Sequence, residues 1–469
     1  MFIFYDFETS SRELLGQILS YSFIVTDTDL HPIEECNGLI KLNRTQLPEL
    51  NALLVNRINI LTHQDRGLSE YDSAKKIHCF LDQCIAKYGP CKLVGYNSNQ
   101  FDLNFLRVIL TRYGLNPYFK GQLGNLDMLH VAQHIAFLYP DRFPWIRTQT
   151  DKHSYYSFRL EDLAQECGLL STEQRHDARE DVLLTISLAQ AFESIFDFKI
   201  STFSPIYIHT SPSKKDPLGL SQEKARDFAP RDEAPKKHRL QYWAQLASLK
   251  KALLLLDLQR YADLQSSGAE ITEADKLNCI RYINFNKHFM ILEPITNHAA
   301  CLDISTLALQ DPFLKQLSKT PARYFELLNQ NWDIDYRIHA LGFQNIAILQ
   351  DYIHRLFNDP SSYPTLLSSL LANRRNTEDN YLIQLFNRAY LNYHPQPKPE
   401  HTKKYTTPRY VTGTLHKHPK SHKSLSELEA EAKEKLHHPD TSATDKELTQ
   451  AFLGYFYGFL DTHSLSTGT

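Results

Sequence analysis

The opening segment MFIFYDFETS constrains the fold more than any other stretch of the chain. Its apolar run Phe2 to Tyr5 predicts a buried strand, and side chains two apart on a strand share a face, so Asp6 and Glu8 point the same way. Two carboxylates on one face repel unless something positive lies between them. Divalent magnesium or manganese suits that place, because hard cations take oxygen ligands. An Asp-x-Glu pair by itself is more often a solvated turn than a metal site, so the assignment depends on companions elsewhere in the chain.

Three further residues supply them: Asp102 in GYNSNQFDLNFL, and His176 with Asp181 in HDARED. Alone, Asp102 reads equally well as the cap of a helix over Leu103 to Tyr113, since Asp is a preferred helix-start residue. Alone, His176 reads as a surface or hydrogen-bonded histidine. Taken in order, each on the expected element, the segments resemble the DEDD exonuclease superfamily in the variant whose last motif is His-x4-Asp, here His176 to Asp181. The flanks Thr9, the turn Gly95-Tyr96-Asn97 before Phe101-Asp102, and Ser157-Phe158-Arg159-Leu160 are most similar to the bacterial exodeoxyribonuclease I family.

That resemblance implies an α/β, RNase H-like exonuclease domain with a mixed sheet, then an SH3-like β-rich domain and a C-terminal helical domain. It implies a 3′ to 5′ exonuclease that releases nucleoside 5′-monophosphates from single-stranded DNA, in repair and recombination. Asp6, Glu8, Asp102 and Asp181 are the expected ligands of two Mg²⁺ ions, with Mn²⁺ as a substitute, and His176 is the expected general base. Thr9, Phe101 and Arg159 are expected to help hold the substrate. The neighbouring acids Asp177 and Glu180 are expected to face solvent. The implied partner besides DNA is single-stranded DNA-binding protein, through its C-terminal tail.

Composition bounds the rest. A chain of 469 residues with 42% apolar content predicts about three domains, each with a full core. Seven cysteines without a CxxC pair argue against a disulfide framework or a structural zinc site, and read as reduced thiols. The N-terminus shows no leader-like pattern, and the later apolar run Ala252 to Leu258 is far shorter than the roughly 20 residues of a membrane span. A cytoplasmic, monomeric protein is expected. Net charge is −3, yet phosphate affinity comes from local basic stripes and not from the chain total.

The patterning divides the chain into residues 1–199, 200–345 and 346–469. The first part predicts strands Phe2–Phe7, Ser20–Asp27, Gly38–Leu42 and Lys92–Tyr96, with helices Asp72–Tyr88, Asn104–Tyr113, Leu126–Leu138, Leu160–Cys167 and Ala178–Phe196. The second predicts short strands Pro205–His209, Ala252–Leu258, Asn278–Phe285 and Phe289–Leu292 around a polar stretch, Ser211–Arg239. A small β-barrel serving as a spacer and an α+β insertion are the alternatives to an SH3-like domain. The third predicts helices Ile346–Phe357, Thr365–Ala372, Tyr381–Tyr390, Ala430–Leu436, with a capping box at Ser426 and Glu429, and Ala451–Leu460. Between them, Pro395 to Lys423 reads as a mobile basic linker, either a plain solvated loop or a contact for DNA phosphates. Two other functions compete: an RNA-directed member of the same superfamily, and a scaffold that keeps the fold without catalysis. The 270 residues beyond the nuclease segment favour the DNA enzyme over small RNA-trimming relatives, and the intact acids with His176 argue against the scaffold.

Overall fold

In the computed structural model of the chain, the first strand lies at the centre of a five-stranded sheet. β1 (Phe2–Thr9) pairs antiparallel with β2 (Ile18–Thr26), which pairs antiparallel with β3 (Pro32–Leu39). On its other side β1 runs parallel to β4 (Cys91–Gly95), with β5 (Leu123–Asp127) beyond it. Helices α1 (Leu50–Val55), α2 (Ile60–Arg66), α3 (Glu70–Tyr88), α4 (Asp102–Arg112), α5 (Met128–Leu138), α6 (Leu160–Glu166) and α7 (Ala178–Phe196) accompany the sheet in sequence, giving the expected α/β pattern. The structure describes residues 1–139, 141–149, 154–170, 177–203, 206–207, 220–221, 241–249, 252–268, 270–284, 290–291, 308, 310–320, 333–375, 377–416 and 422–467.

The alternation along β1 separates its two jobs. Ile3, Tyr5 and Phe7 enter a buried cluster, where Tyr5 and Phe7 pack on Phe23 of β2 with ring centroids 5.9 and 5.6 Å apart. Asp6 and Glu8 therefore face away from that cluster, paired in register with Ser22 and Ser20.

Two compact units make up the chain: Met1–Asn125 with Gln174–Leu183 and Asn331–Thr469, and Leu126–Glu173 with Leu184–Gln330. In the first, the helices Phe343–Asn358, Tyr363–Ala372 and Thr377–Tyr393 share one core with the sheet: Leu349, Ile353, Leu385 and Phe386 belong to the same cluster as Ile3, Tyr5 and Phe105. A buried ionic network runs through that unit. Arg112 on α4 reaches Glu70 at 2.6 Å and Asp335 at 2.7 Å, and Arg388 reaches Asp335 and Asp333, each at 2.7 Å. Burial alone would raise the Asp335 pKa, but the two guanidiniums hold it down at about 2.

The second unit contains a six-stranded sheet in the order Ile280–Asn284, Ala252–Asp257, Gln241–Leu249, Leu220–Ser221, Met290–Ile291 and Ile206–Tyr207. Its core gathers Leu254, Leu256, Leu258, Leu314 and Leu317. The helix Leu258–Ser266 follows directly on a strand, with Asp257 accepting from the Arg260 amide at its start. No described helix is long and apolar enough to cross a membrane. The described cysteines, Cys36, Cys79, Cys84, Cys91, Cys167 and Cys279, are free thiols.

Several sequence expectations shift. The third strand is Pro32–Leu39 and not Gly38–Leu42, because an edge strand with polar, largely exposed residues carries no apolar alternation. The expected helix Leu126–Leu138 begins at Met128, where Asp127 accepts from the Leu129 amide at 3.0 Å, and its first two residues close β5. α1, α2 and the strand Gln241–Leu249 were not anticipated. The C-terminal capping box is formed by Ser424 and Glu427, opening a helix Leu425–His437, two residues upstream of the Ser426–Glu429 reading. The supposed mobile linker is folded over Pro399–Thr406 and Thr407–Val411, with Arg409 only 1% exposed. Tyr405 and Tyr410 flank that guanidinium, at 5.7 and 5.5 Å, and Gln46 accepts from it at 3.1 Å, so a run of basic residues contains a core cation. Residues 417–421 of that segment, and most of the polar stretch Ser211–Arg239, lie outside the described residues.

Replacing one partner of a buried pair leaves the others uncompensated, at a typical cost of about 3–5 kcal/mol. Arg112→Ala is accordingly expected to lose about that much in urea unfolding. A loss below about 1 kcal/mol, the range of a surface pair, would show that Glu70 and Asp335 need no cation.

Candidate active site

Three carboxylates converge. The nearest ligand oxygens of Asp6, Glu8 and Asp181 all lie within 4.8 Å of one another. β1 presents the first two, and the first turn of α7 presents Asp181. Asp102 joins them from the first turn of α4, where it is 3% exposed and its charge acts directly on Asp6.

The turn before α4 explains how Asp102 is delivered. Gly95 ends β4 where a Cβ would sit 2.5 Å from Ser98 Cβ and 3.1 Å from the Tyr5 carbonyl, so no larger residue fits between β1 and the turn. Asn97 adopts φ +56, a left-handed conformation Asn tolerates. The Leu103 amide then bonds the Ser98 carbonyl at 2.9 Å, and the helix starts with Asp102 as its first residue. Asp102 is therefore not the cap; Phe101 holds that position, packing its ring 4.9 Å from Phe105.

At α7 the cap is Asp177. Its Oδ1 accepts from the Arg179 amide at 3.0 Å, and its carbonyl accepts from the Asp181 amide at 3.0 Å, fixing the turn that carries Asp181. Asp177 and Glu180 are exposed, as expected. The structural role of Asp177 was legible as the Asp-x-x-Glu pattern Asp177 to Glu180, a capping signature overlooked beside the more conspicuous His176. Arg179 Nε also bonds Glu35 of β3 at 2.9 Å, a long-range contact with no sequence signal. His176 lies outside the described residues.

Thr9 is buried at the bulged end of β1, its hydroxyl donating to the Ser11 carbonyl at 2.8 Å. Arg159 stands in the second unit as the exposed residue preceding α6. The structure thus brings Asp6, Glu8, Asp102 and Asp181 together.

Electrostatics in this cluster is unfavourable without a cation. Burial, then the charges of Asp102, Glu8, Asp181 and Asp177, push the Asp6 carboxyl well above its ordinary range. Burial, then Asp181 and Asp177, raise Glu8 to about 7. These residues fit a divalent ion on two grounds: the donors are all hard oxygens, and a separation of at most 4.8 Å suits ligands sharing one ion at about 2.0–2.6 Å.

No family model matches the chain. Among curated proteins it resembles exodeoxyribonuclease I of Buchnera aphidicola subsp. Schizaphis graminum, 30% identical over 206 residues, 42% of this chain and 41% of that protein. The matched region thus spans less than half the length of that relative. Solved structures match nearly end to end. Exonuclease I of Methylocaldum szegediense superposes with a TM-score of 0.66 at 20% identity, covering 98% of this chain and 99% of the other. The zinc-bound E. coli exonuclease I complex with single-stranded DNA gives 0.67 at 18% identity over the same shares. The fold is that of a bacterial exonuclease I, and the likeness expected from the motifs is found in sequence and in structure.

A carboxyl whose folded pKa exceeds its unfolded one binds more protons folded than unfolded between those two values, so its contribution to stability falls as pH rises between them. For Glu8 the window runs from 4.5 to about 7. In EDTA, the melting temperature of wild type should fall across this window relative to Glu8→Gln, with the two curves parallel above it. Parallel curves throughout would mean that Glu8 is ionised without penalty.

Proposed function

We propose that the protein is a metal-dependent 3′ to 5′ exonuclease that degrades single-stranded DNA to nucleoside 5′-monophosphates. The observation that carries this reading is the convergence of Asp6, Glu8 and Asp181 beside Asp102, on the fold of exonuclease I. The substrate follows from the relatives, one of which is described with single-stranded DNA.

In this reading Asp6, Glu8, Asp102 and Asp181 would hold two Mg²⁺ ions. When bound, such ions acidify water and neutralise charge on a departing oxygen. The four carboxylates, from β1, α4 and α7, would hold the counter-charge against which the scissile phosphate is oriented. His176, whose unperturbed imidazole titrates near 6.5, takes the proton from the attacking water. The bond between phosphorus and the 3′ oxygen of the penultimate nucleotide breaks, leaving the 5′-phosphate on the released nucleotide. Thr9 and Phe101 position the terminal nucleotide, and Arg159 contributes a cation for its phosphates. Along the sequence, residues 1–199 are assigned to the nuclease domain, 200–345 to an SH3-like domain and 346–469 to a helical domain, whose helix Thr377–Tyr393 packs into the core of the nuclease sheet. Single-stranded DNA-binding protein is the proposed recruiting partner, in the cytoplasm, with the enzyme a monomer.

The test is digestion of 3′- and 5′-labelled single-stranded DNA, duplex DNA and RNA with Mg²⁺ and with EDTA. Immediate release of the 3′ label as mononucleotide, only with Mg²⁺, is expected; equal or faster digestion of RNA overturns the DNA assignment. Asp6→Ala and Asp181→Ala should abolish turnover while melting at or above the wild-type temperature in EDTA, since each removes a repelling charge. Activity above about a tenth of wild type in either would mean the metal site is misassigned.

His176→Ala should lower kcat by about 10²–10⁴ with little change in DNA affinity, the usual contribution of a general base. The rising limb of the wild-type pH profile should vanish in that variant. Its persistence would leave His176 a positioning role only.

A further inference from the structure

Glu13 has no part in the chemistry above, yet two side chains from distant sequence meet one of its oxygens. Tyr336 Oη donates to Glu13 Oε2, and His416 Nδ1 lies 2.8 Å from the same atom. The other ring nitrogen, His416 Nε2, lies 3.0 Å from the Arg409 carbonyl. Both nitrogens face acceptors, and only the doubly protonated ring has an N–H for each.

The segment carrying His416 is shaped around this contact. The His422 ring packs 4.6 Å from His416, over Gly413, where φ is +63 and a Cβ would fall 2.3 Å from His422 Cδ2. Arg409, whose carbonyl receives His416, is fixed in the core by Gln46 and Tyr405. His416 is thus held on a rigid base.

On the other side, Glu13 belongs to a tightly bonded loop that begins one residue after Glu8. Thr9 Oγ1 donates to the Ser11 carbonyl at 2.8 Å, the Glu13 amide to Ser11 Oγ at 3.0 Å, and the Gly16 amide to the Glu13 carbonyl at 2.8 Å. Ser10 and Gln17 close the loop through the Ser10 amide to the Gln17 carbonyl, 2.8 Å, and the Gln17 amide to Ser10 Oγ, 2.9 Å. Gly16 leaves no room for adjustment, since a Cβ there would lie 2.9 Å from Ser11 Cβ. These bonds join Glu13 to the residues just after the bulge between Glu8 and Thr9.

We propose that Glu13 and His416 form a positioning pair: their charged hydrogen bond ties the C-terminal segment to the loop Thr9–Gln17 and so fixes the end of β1 against which the terminal nucleotide is held. This rests on the nuclease reading. The ionisable groups around the pair, among the described residues, are Tyr336, His422 and Arg409, with Glu427 acting on His422. His422 is held below its ordinary range by burial and by His416. The pair is held from both sides of the ring, by Glu13 at 2.8 Å and by the Arg409 carbonyl at 3.0 Å.

The experiment is a double-mutant cycle with Glu13→Gln and His416→Gln, with His416→Asn as a second replacement should the first not fold. Melting in EDTA at pH 5.5 and 8.5 reads the coupling, and KM and kcat on a single-stranded oligonucleotide with Mg²⁺ read the consequence. Each single variant should raise KM about threefold or more with kcat within about twofold, and the double variant should be no worse than either. Coupling should appear in the melting cycle at pH 5.5. Additive melting effects at both pH values, or an unchanged KM in folded variants, would overturn the pair. If wild type digests no nucleic acid, the nuclease reading fails, while the melting cycle still decides whether Glu13 and His416 are coupled.

Discussion

The guanidinium of Arg112 is the contact on which the first unit depends. It is 4% exposed, and a cation so far from water persists only if every donor is satisfied. Glu70 on α3 and Asp335 supply the charge, and the carbonyls of Leu14 and Gly16 accept at 3.0 and 2.8 Å. Four separate pieces of chain are therefore fixed by one side chain: α4, which carries Asp102 at its other end, α3, the loop leaving β1, and the segment around Asp335. Arg388 shares Asp335 and extends the network into the helix Thr377–Tyr393. Tyr113 and Tyr393 close it, with Tyr113 donating to Glu70 at 2.7 Å and meeting Tyr393 at 3.0 Å. Unequal lengths of chain are thus locked to one centre, and the loop Thr9–Gln17 is gripped twice, through its carbonyls by Arg112 and through Glu13 by His416.

How much of this was legible depended on the range of the interaction. β1 was readable because its apolar run marks a strand buried on both faces, and the stretch from Ala178 to Phe196 because its apolar spacing matches one helical face. The three acidic segments were readable because their chemistry needs particular residue types next to particular turns. Asp102 was placed at the right helix start; of its two readings the cap is not realised, since cap and first-turn positions differ by one residue and only backbone geometry separates them. β3 and β5 escaped because a polar edge strand and a five-residue strand running into a helix leave almost no periodic signal.

Arg409 and Arg112 illustrate the deeper limit. Nothing near Arg409 in sequence distinguishes it from Lys403, Lys404 or Lys398, yet its burial is decided by Gln46, which is 363 residues away. Charge runs predict solvated segments because an isolated cation is costly to bury. The inference fails when neighbouring tyrosines and a distant amide together repay that cost. The same reasoning covers Arg388, which lies over the Tyr405 ring at 5.3 Å while bonding two aspartates.

The acidic cluster applies the opposite logic. Around Arg112 the surroundings neutralise a buried charge; around Asp6 they add like charges to one. Burial, which strengthens the Arg112 pairs, here strengthens repulsion, and the carboxyls respond by holding their protons: Glu8 to about 7, and Asp6 well above its ordinary range. To serve as ligands these groups must give the protons up, so ligation at this site is coupled to proton release and favoured as pH rises, even as the metal-free protein becomes less stable. A site of this kind has to be held open by structure elsewhere. β1 is paired on both sides, Asp102 is pinned through α4 to the Arg112 network, and Asp181 is fixed by the Asp177 cap, so the four carboxylates cannot relieve their repulsion by moving apart. The repulsion that remains is the part a divalent cation can remove.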